Sequence, residues 1–180
     1  VAISISEGFA RNVISASFDG TIVETTTPLT TDGSLILYTW NDEGGKKAFW
    51  HSTSHVMAQV LEEMYPGIQL TLGPAIANGF YYDVDLGDDV IRDEDIPKIE
   101  KEMKKEDESG KKIIRKEISK EEAMEMFKDD EYKLDLISNL EDGTITCYEQ
   151  GDFTDLCRGP HVDNVKLCRN FKLLRHSGAY

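Results

Sequence analysis

Long apolar runs are missing from this sequence, and so are a basic surplus and an even set of cysteines. No uninterrupted apolar stretch exceeds a few residues, so no segment can cross a bilayer as a helix. The three cysteines, Cys147, Cys157 and Cys168, form an odd set, and no basic-then-apolar leader precedes them. Both features argue against secretion and a disulfide framework, and for reduced thiols in a cytoplasmic protein. Lysine and arginine number 20 against 34 aspartates and glutamates, a net charge of −14, which opposes nucleic-acid binding through a broad basic face. Internal repeats and low-complexity tracts are absent too. What remains is a globular composition, 39% hydrophobic and 30% charged. At 180 residues there is room for one ordinary domain, or one domain and part of another. The first residue is Val1, so a piece of a longer protein is expected.

The acid is unevenly spread. From Asp85 to Asp142 there are 21 acidic against 12 basic residues, net −9. That stretch reads as a solvated helical face. From Pro160 onward Lys166, Arg169, Lys172 and Arg175 stand against Asp163 alone, so a polyanionic partner is expected to touch this end.

Residues 1–41 read as a small, incomplete unit. Ala2 to Arg11 can close one short helix. Val13–Phe18 and Thr21–Thr25 flank Asp19-Gly20, a hairpin dipeptide, and Ser34–Trp40 is a further strand. The run Asn41-Asp42-Glu43-Gly44-Gly45 marks the boundary. A helix over Lys46–Met64 then carries Phe49, Val56, Val60, Leu61 and Met64 at helical spacing and stops at Pro66-Gly67. Leu70–Ala77 and Gly79–Asp85 pair around Asn78-Gly79. The spacing of Ile96, Ile99 and Met103 predicts a helix over Glu94–Glu108, ended by Gly110. Ile113–Ile118 reads as a strand, and Ser119 with Glu122 forms a capping box for a helix through Phe127. Tyr132–Leu140 is ambiguous between strand and helix, Thr144–Tyr148 is a strand, and Phe171–Tyr180 is strand then coil. This order, without a strict βαβ rhythm, predicts an α+β fold with helices packed on an antiparallel sheet.

Histidine is scarce, and its placement carries the chemistry. Three of four histidines fall in two patterns, His51-Ser52-Thr53-Ser54-His55 and Cys157-Arg158-Gly159-Pro160-His161. The first puts two imidazoles one helical turn apart on one face; the second puts a thiol and an imidazole at the same separation in a Gly-Pro loop. Each alone is an ordinary surface pair. Together they supply three imidazoles and a thiolate, a legitimate tetrahedral zinc set. Unmetallated imidazoles of near-neutral pKa can equally hold and activate water for ester hydrolysis. A metalloprotease needs Glu directly after the first histidine, and Ser52 stands there. A Cys157–His161 protease dyad is poorly supported by four-residue spacing in a Gly-Pro loop.

The strings HSTSH, GPAIANGFYYDVD, YKLDLI, DLCRGPHV and FKLLRHSGAY, in this order, resemble the N-terminal half of the threonyl-tRNA synthetase family, over nearly all of the chain. By this resemblance residues 1–41 are the later part of a TGS domain, a ubiquitin-like β-grasp module whose opening hairpin is missing. Residues 42–180 are the editing domain shared with the alanyl enzymes. The resemblance implies hydrolysis of serine wrongly esterified to threonine tRNA, a deacylase acting in cis. It implies His51, His55, Cys157 and His161 as the site, Asp155 and Lys133 beside it, and Gly73 and Tyr82 lining the pocket for the terminal adenosine and aminoacyl group. Outside that context Lys133 reads as a surface lysine, Tyr82 as a core or edge aromatic and Gly73 as a turn glycine. Cys147 and Cys168 read as buried small hydrophobes, and His176 as facing solvent or a further domain. The tRNA 3′ end and the catalytic domain of the same chain are the implied partners, with a homodimer for the full-length enzyme and no membrane. ATP, magnesium and catalytic zinc belong to the ligase domain, which this sequence lacks. No zinc is expected in the editing site. Two further readings stay open, a non-catalytic zinc-stapled module that binds tRNA and a free-standing trans-editing deacylase.

Overall fold

The computed structural model describes residues 1–178. Its elements run α1 (Ala2–Ile5), α2 (Glu7–Ala10), β1 (Ser15–Phe18), β2 (Thr21–Val23), β3 (Leu35–Tyr38), α3 (Glu43–Met64), β4 (Gln69–Leu72), β5 (Ala75–Ile76), β6 (Gly79–Phe80), β7 (Asp83–Asp85), α4 (Ile96–Ser109), β8 (Ile113–Ile118), α5 (Lys120–Met126), α6 (Glu131–Ser138), β9 (Ile145–Gln150) and β10 (Phe153–Leu156), with 3₁₀ turns at Asp93–Asp95 and Val165–Cys168. Every strand pairing among the described residues is antiparallel: a β2-β1-β3 sheet, a β10-β9-β8 sheet, and the pairs β4-β7 and β5-β6. The fold is therefore α+β.

Near the N-terminus one expectation changes. The segment Ala2–Arg11 breaks into two single turns, because Ser6 is extended (φ −168°) and its hydroxyl caps the Phe9 amide. The β1–β2 hairpin turns at Asp19 and Gly20, both at positive φ (48° and 80°), the geometry that suits the right-handed twist of its strands.

Helix α3 is the spine. From Ser52 to Val56 every residue is buried, so this helix is covered on several sides rather than along one stripe. The hydroxyls placed there are satisfied locally: Ser52 donates to the Ala48 carbonyl and Thr53 to that of Phe49, each at 2.8 Å. The main core joins Val56 and Val60 of α3, Ile99 and Met103 of α4, and Val162 and Val165 of the last loop. A smaller cluster under Ala58 gathers Leu70, Tyr82 and Phe153, and a third joins Ala123, Ile137 and Ile145.

Elsewhere the local signals decide the elements. Gly110 ends α4 at φ +67°, and Ser119 with Glu122 makes the full capping box of α5. The ambiguous segment after Asp130 is a helix. Asp130 accepts from the Lys133 amide through Oδ1 and from the Leu70 amide through Oδ2, both at 3.0 Å, capping α6 and pinning it to β4. Strand β10 has no counterpart in the sequence reading, since its inward positions are Phe153 and a buried Asp155, which hides the alternation. Phe171–178 form no strand; there Glu100 accepts from the Leu173 amide and the Lys172 ammonium, a side-chain anchor in place of a ladder. Ala179 and Tyr180 lie outside the described residues. The solvated-face reading of the acidic stretch fails at Glu100 and Asp107, which are buried.

Candidate functional site

Helix α3 and the loop that leaves β10 meet at the histidines. His51 and His55 project from one face of α3 with ring centroids 4.9 Å apart. His161 stacks on His51 at 4.2 Å and lies edge-on to His55 at 4.4 Å. One donor atom from each of His51, His55, Cys157 and His161 falls within 4.8 Å of the others. Residues about a hundred positions apart thus share one cluster.

The partners of each ring assign its tautomer. His51 Nδ1 faces the Pro160 carbonyl at 3.3 Å, which can only accept, so Nδ1 carries the proton and Nε2 keeps its lone pair. His55 Nδ1 lies 3.2 Å from Asp155 Oδ2 and is protonated for the same reason. The Ser52 hydroxyl donates to the Ala48 carbonyl and accepts from the Val162 amide, so His161 Nδ1 donates to it at 2.9 Å. His161 Nε2 then accepts the Cys157 thiol at 3.0 Å. All three imidazoles are neutral; His51 and His55 keep a free Nε2 lone pair, while that of His161 is taken by the thiol. Burial is the main reason: it lowers His51 and pushes His55 and His161 well below the usual imidazole range. Burial also raises the Cys157 thiol, which stays protonated.

Behind the rings lies a charged trio. Asp155 Oδ1 takes the Lys133 ammonium at 2.6 Å and the Leu156 amide at 2.8 Å, while Oδ2 takes the Tyr82 hydroxyl at 2.5 Å and His55. Lys133 also donates to the Thr71 carbonyl and to Tyr82 Oη, each at 3.2 Å. All three ammonium protons have protein acceptors, and Lys133 is buried, not the surface lysine that its type alone suggests. Tyr82 is likewise buried, and burial beside Asp155 keeps its phenol protonated far above the ordinary range.

In front of the rings is a cavity of about 340 Å³, lined by His51, His55, Gly73, Tyr82, Lys133 and Cys157. Asp155 and His161 sit behind that wall, each 1% exposed. Gly73 packs flat against the Tyr82 ring, where a Cβ would lie 2.1 Å from a ring carbon, and its carbonyl accepts from Ser54 at 2.7 Å. The structure thus brings together all eight residues singled out from the sequence. It adds Ser52, which sets His161. Only its position between the two histidines of HSTSH hinted at that. Cys147 and Cys168 are fully buried, and His176 is exposed beside Asp93, away from the cluster.

Two imidazole Nε2 lone pairs and a thiol lining one small space can hold a water and carry a proton. No helix among the described residues is long and apolar enough to cross a membrane.

Residues 145–179 match the family described as the threonyl and alanyl tRNA synthetase second additional domain. The whole chain is 62% identical to part of the threonine–tRNA ligase of Flavobacterium johnsoniae and 60% identical to that of Flavobacterium psychrophilum. It is 48% identical to that of Bacteroides fragilis over 182 aligned residues. In each case the chain spans 28% of the length of the relative. Over that share the chain is similar throughout to the threonine–tRNA ligases, and residues 145–179 to the second additional domain of the threonyl and alanyl tRNA synthetases.

Proposed function

We propose that this chain hydrolyses the ester of serine wrongly joined to threonine tRNA, with residues 42–180 as the editing domain and residues 1–41 as part of a TGS unit. The observation that supports it most is the pair of neutral imidazoles, His51 and His55, with Nε2 lone pairs at the wall of a small cavity. Serine keeps every polar group of threonine and lacks one methyl, a difference worth about 1–3 kcal/mol in binding. A second site that admits serine and sterically refuses the methyl supplies the missing discrimination.

His51 is the least buried of the three rings and its Nε2 is unpaired, so it takes the proton as water attacks the ester carbonyl. The bond from carbonyl carbon to the ribose oxygen then breaks, and the imidazolium returns its proton to that oxygen. His55, aligned by Asp155, holds the water from the neighbouring turn. Lys133 acts through its field: it is fixed in a dry site, and negative charge develops within reach of that field. It also holds Tyr82 and Asp155 in register. Arg158, Lys166, Arg169 and Arg175 are the candidate contacts to the tRNA backbone; Lys172 is tied to Glu100.

A second reading rests on the donor cluster itself. If zinc binds, His51, His55, Cys157 and His161 would hold it, their donor atoms being close enough to share one ion. Closed by all four ligands, zinc there would act as a staple with no chemistry; only with one of the four left off would it polarise a bound water.

Incubation with seryl and threonyl esters of threonine tRNA tests the proposal. The seryl ester should disappear faster than the threonyl ester and faster than in buffer. If the folded chain cleaves neither above the buffer rate, with metal varied, the deacylase reading falls and the stapled tRNA-binding module takes its place.

A further inference from the structure

Outside the cavity, one carboxylate from the N-terminal unit reaches the back of the site. Glu24 follows β2, and a tight turn fixes it: its amide donates to Thr27 Oγ1 at 3.2 Å, and its carbonyl accepts from the Thr27 amide at 3.0 Å. Its Oε1 accepts the Tyr148 hydroxyl from β9 and faces the His161 amide at 3.4 Å. The Tyr148 ring in turn packs edge-on against the His161 imidazole, with centroids 4.4 Å apart.

The loop is shaped to this contact. Gly159 has φ +70°, and a Cβ there would lie 2.1 Å from Tyr148 Oη and 3.1 Å from Glu24 Oε1. Only glycine lets the backbone come this close to the phenol and carboxylate. Besides its packing on His51 and His55, the His161 ring has three further contacts: Ser52 from α3, the Cys157 thiol, and Tyr148, whose own hydroxyl is held by Glu24. The first two come from the editing residues themselves. The third is anchored in residues 1–41.

We propose that Glu24 is a positioning residue for the deacylation site: it sets the Tyr148 phenol and the Cys157–His161 loop, and through them the His161 ring. This rests on the deacylase reading above for its effect on rate, though not for its geometry. Glu24 touches neither the cavity nor the reacting atoms. A carboxylate is suited to accept from both a phenol and a backbone amide, and an amide oxygen at the same place can do likewise. The N-terminal unit thereby acts on the chemistry, where a mere spacer would not.

The test uses the chain with Glu24→Ala, Glu24→Gln and Tyr148→Phe, read by seryl ester cleavage and by NMR of the histidine ring signals without tRNA. Misplacing a histidine of the site costs on the order of tenfold or more in rate. Glu24→Ala should therefore lower kcat about tenfold with KM little changed, and should displace the His161 signals. Glu24→Gln should restore both. Tyr148→Phe, which keeps the ring and removes the hydroxyl, should reproduce the Glu24→Ala loss, and the double variant should lose no more than either single one. Unmoved His161 signals in both Glu24→Ala and Tyr148→Phe, additive losses, or no recovery in Glu24→Gln overturn the proposal. Should Glu24→Ala fail to fold, Tyr148→Phe decides by the same two readouts. If the unaltered chain cleaves no seryl ester, the deacylase reading fails separately. The His161 signals then decide whether Glu24 holds the ring.

Discussion

The ammonium of Lys133 lies 2.6 Å from Asp155 Oδ1, and the two side chains expose 3% and 1% of their surfaces. Desolvating both charges is costly, and the pair persists because every remaining hydrogen-bonding position is filled, by Thr71, Tyr82, His55 and the Leu156 amide. Removing one partner strands the other. Asp155→Ala should cost about 3–5 kcal/mol of stability, because an uncompensated ammonium stays buried. The double variant Lys133→Met with Asp155→Leu should recover most of that loss while remaining inactive on the seryl ester. Urea melts of the two variants beside the unaltered chain check this; Asp155→Ala as stable as the unaltered chain would contradict it.

The buried rings make a pH prediction of definite sign. His51, His55 and His161 are lowered in the folded chain from 6.5, chiefly by burial. The unfolded chain therefore binds protons first as pH falls. Stability from these rings is complete above about 6.5 and is lost as pH drops below it. Denaturation midpoints should be flat from pH 7 to 8 and decline from pH 6.5 to 5, and His55→Gln should flatten part of that decline. A decline of equal steepness in His55→Gln would remove this ring from the account.

Asp107 makes the opposite prediction. Its carboxyl is buried on α4 with neither oxygen hydrogen-bonded, and burial beside Glu106 and Glu108 pushes it from 3.8 up to about 7. A raised carboxyl favours folding while it is neutral. The Asp107 contribution is thus greatest at low pH and falls as pH rises from about 4 to 7, against that of the histidines. Asp107→Asn removes the charge at the same volume and should stabilise the chain by about 1–3 kcal/mol at pH 8, with little effect at pH 4. Paired melts at the two pH values measure the difference, and an equal effect at both would place the Asp107 charge elsewhere.

Where local chemistry sets the structure, the residues announce it. Ser119 with Glu122, Gly110, and Asp19-Gly20 each stand where their turn or cap forms. The histidine patterns were legible because residues so scarce seldom fall twice at one spacing. What stayed hidden depends on tertiary partners. Asp155 is polar by type yet points inward on β10, since Lys133 and Tyr82 come to meet it from α6 and from the loop before β7. Glu24 shows nothing in its neighbouring residues, and Ser52 only its place between two histidines, for their partners lie 124 and 109 positions away. The sequence shows one helix where the structure has two turns, because Ser6 is a permissible helix residue; its extended backbone is stabilised by the cap that it makes for the next turn.

The metal question has a sharp outcome. Donor atoms of His51, His55, Cys157 and His161 lie within 4.8 Å of each other, which suits zinc. Against this, the Cys157 thiol and His161 Nε2 already satisfy each other at 3.0 Å, and the Lys133 cation stands on the same wall. Four protein ligands would also close the tetrahedron and leave no position for water. Hydrolysis through His51 Nε2 needs that ring unligated. We therefore expect seryl ester cleavage to survive exhaustive chelation, and protein purified without chelator to carry far less than one zinc per chain. His51→Ala should lower the rate on the order of 10²-fold or more, as loss of a general base does. Elemental analysis beside the rate assay decides it: one zinc per chain, released in Cys157→Ala together with activity, would assign the chemistry to the ion instead of the imidazole.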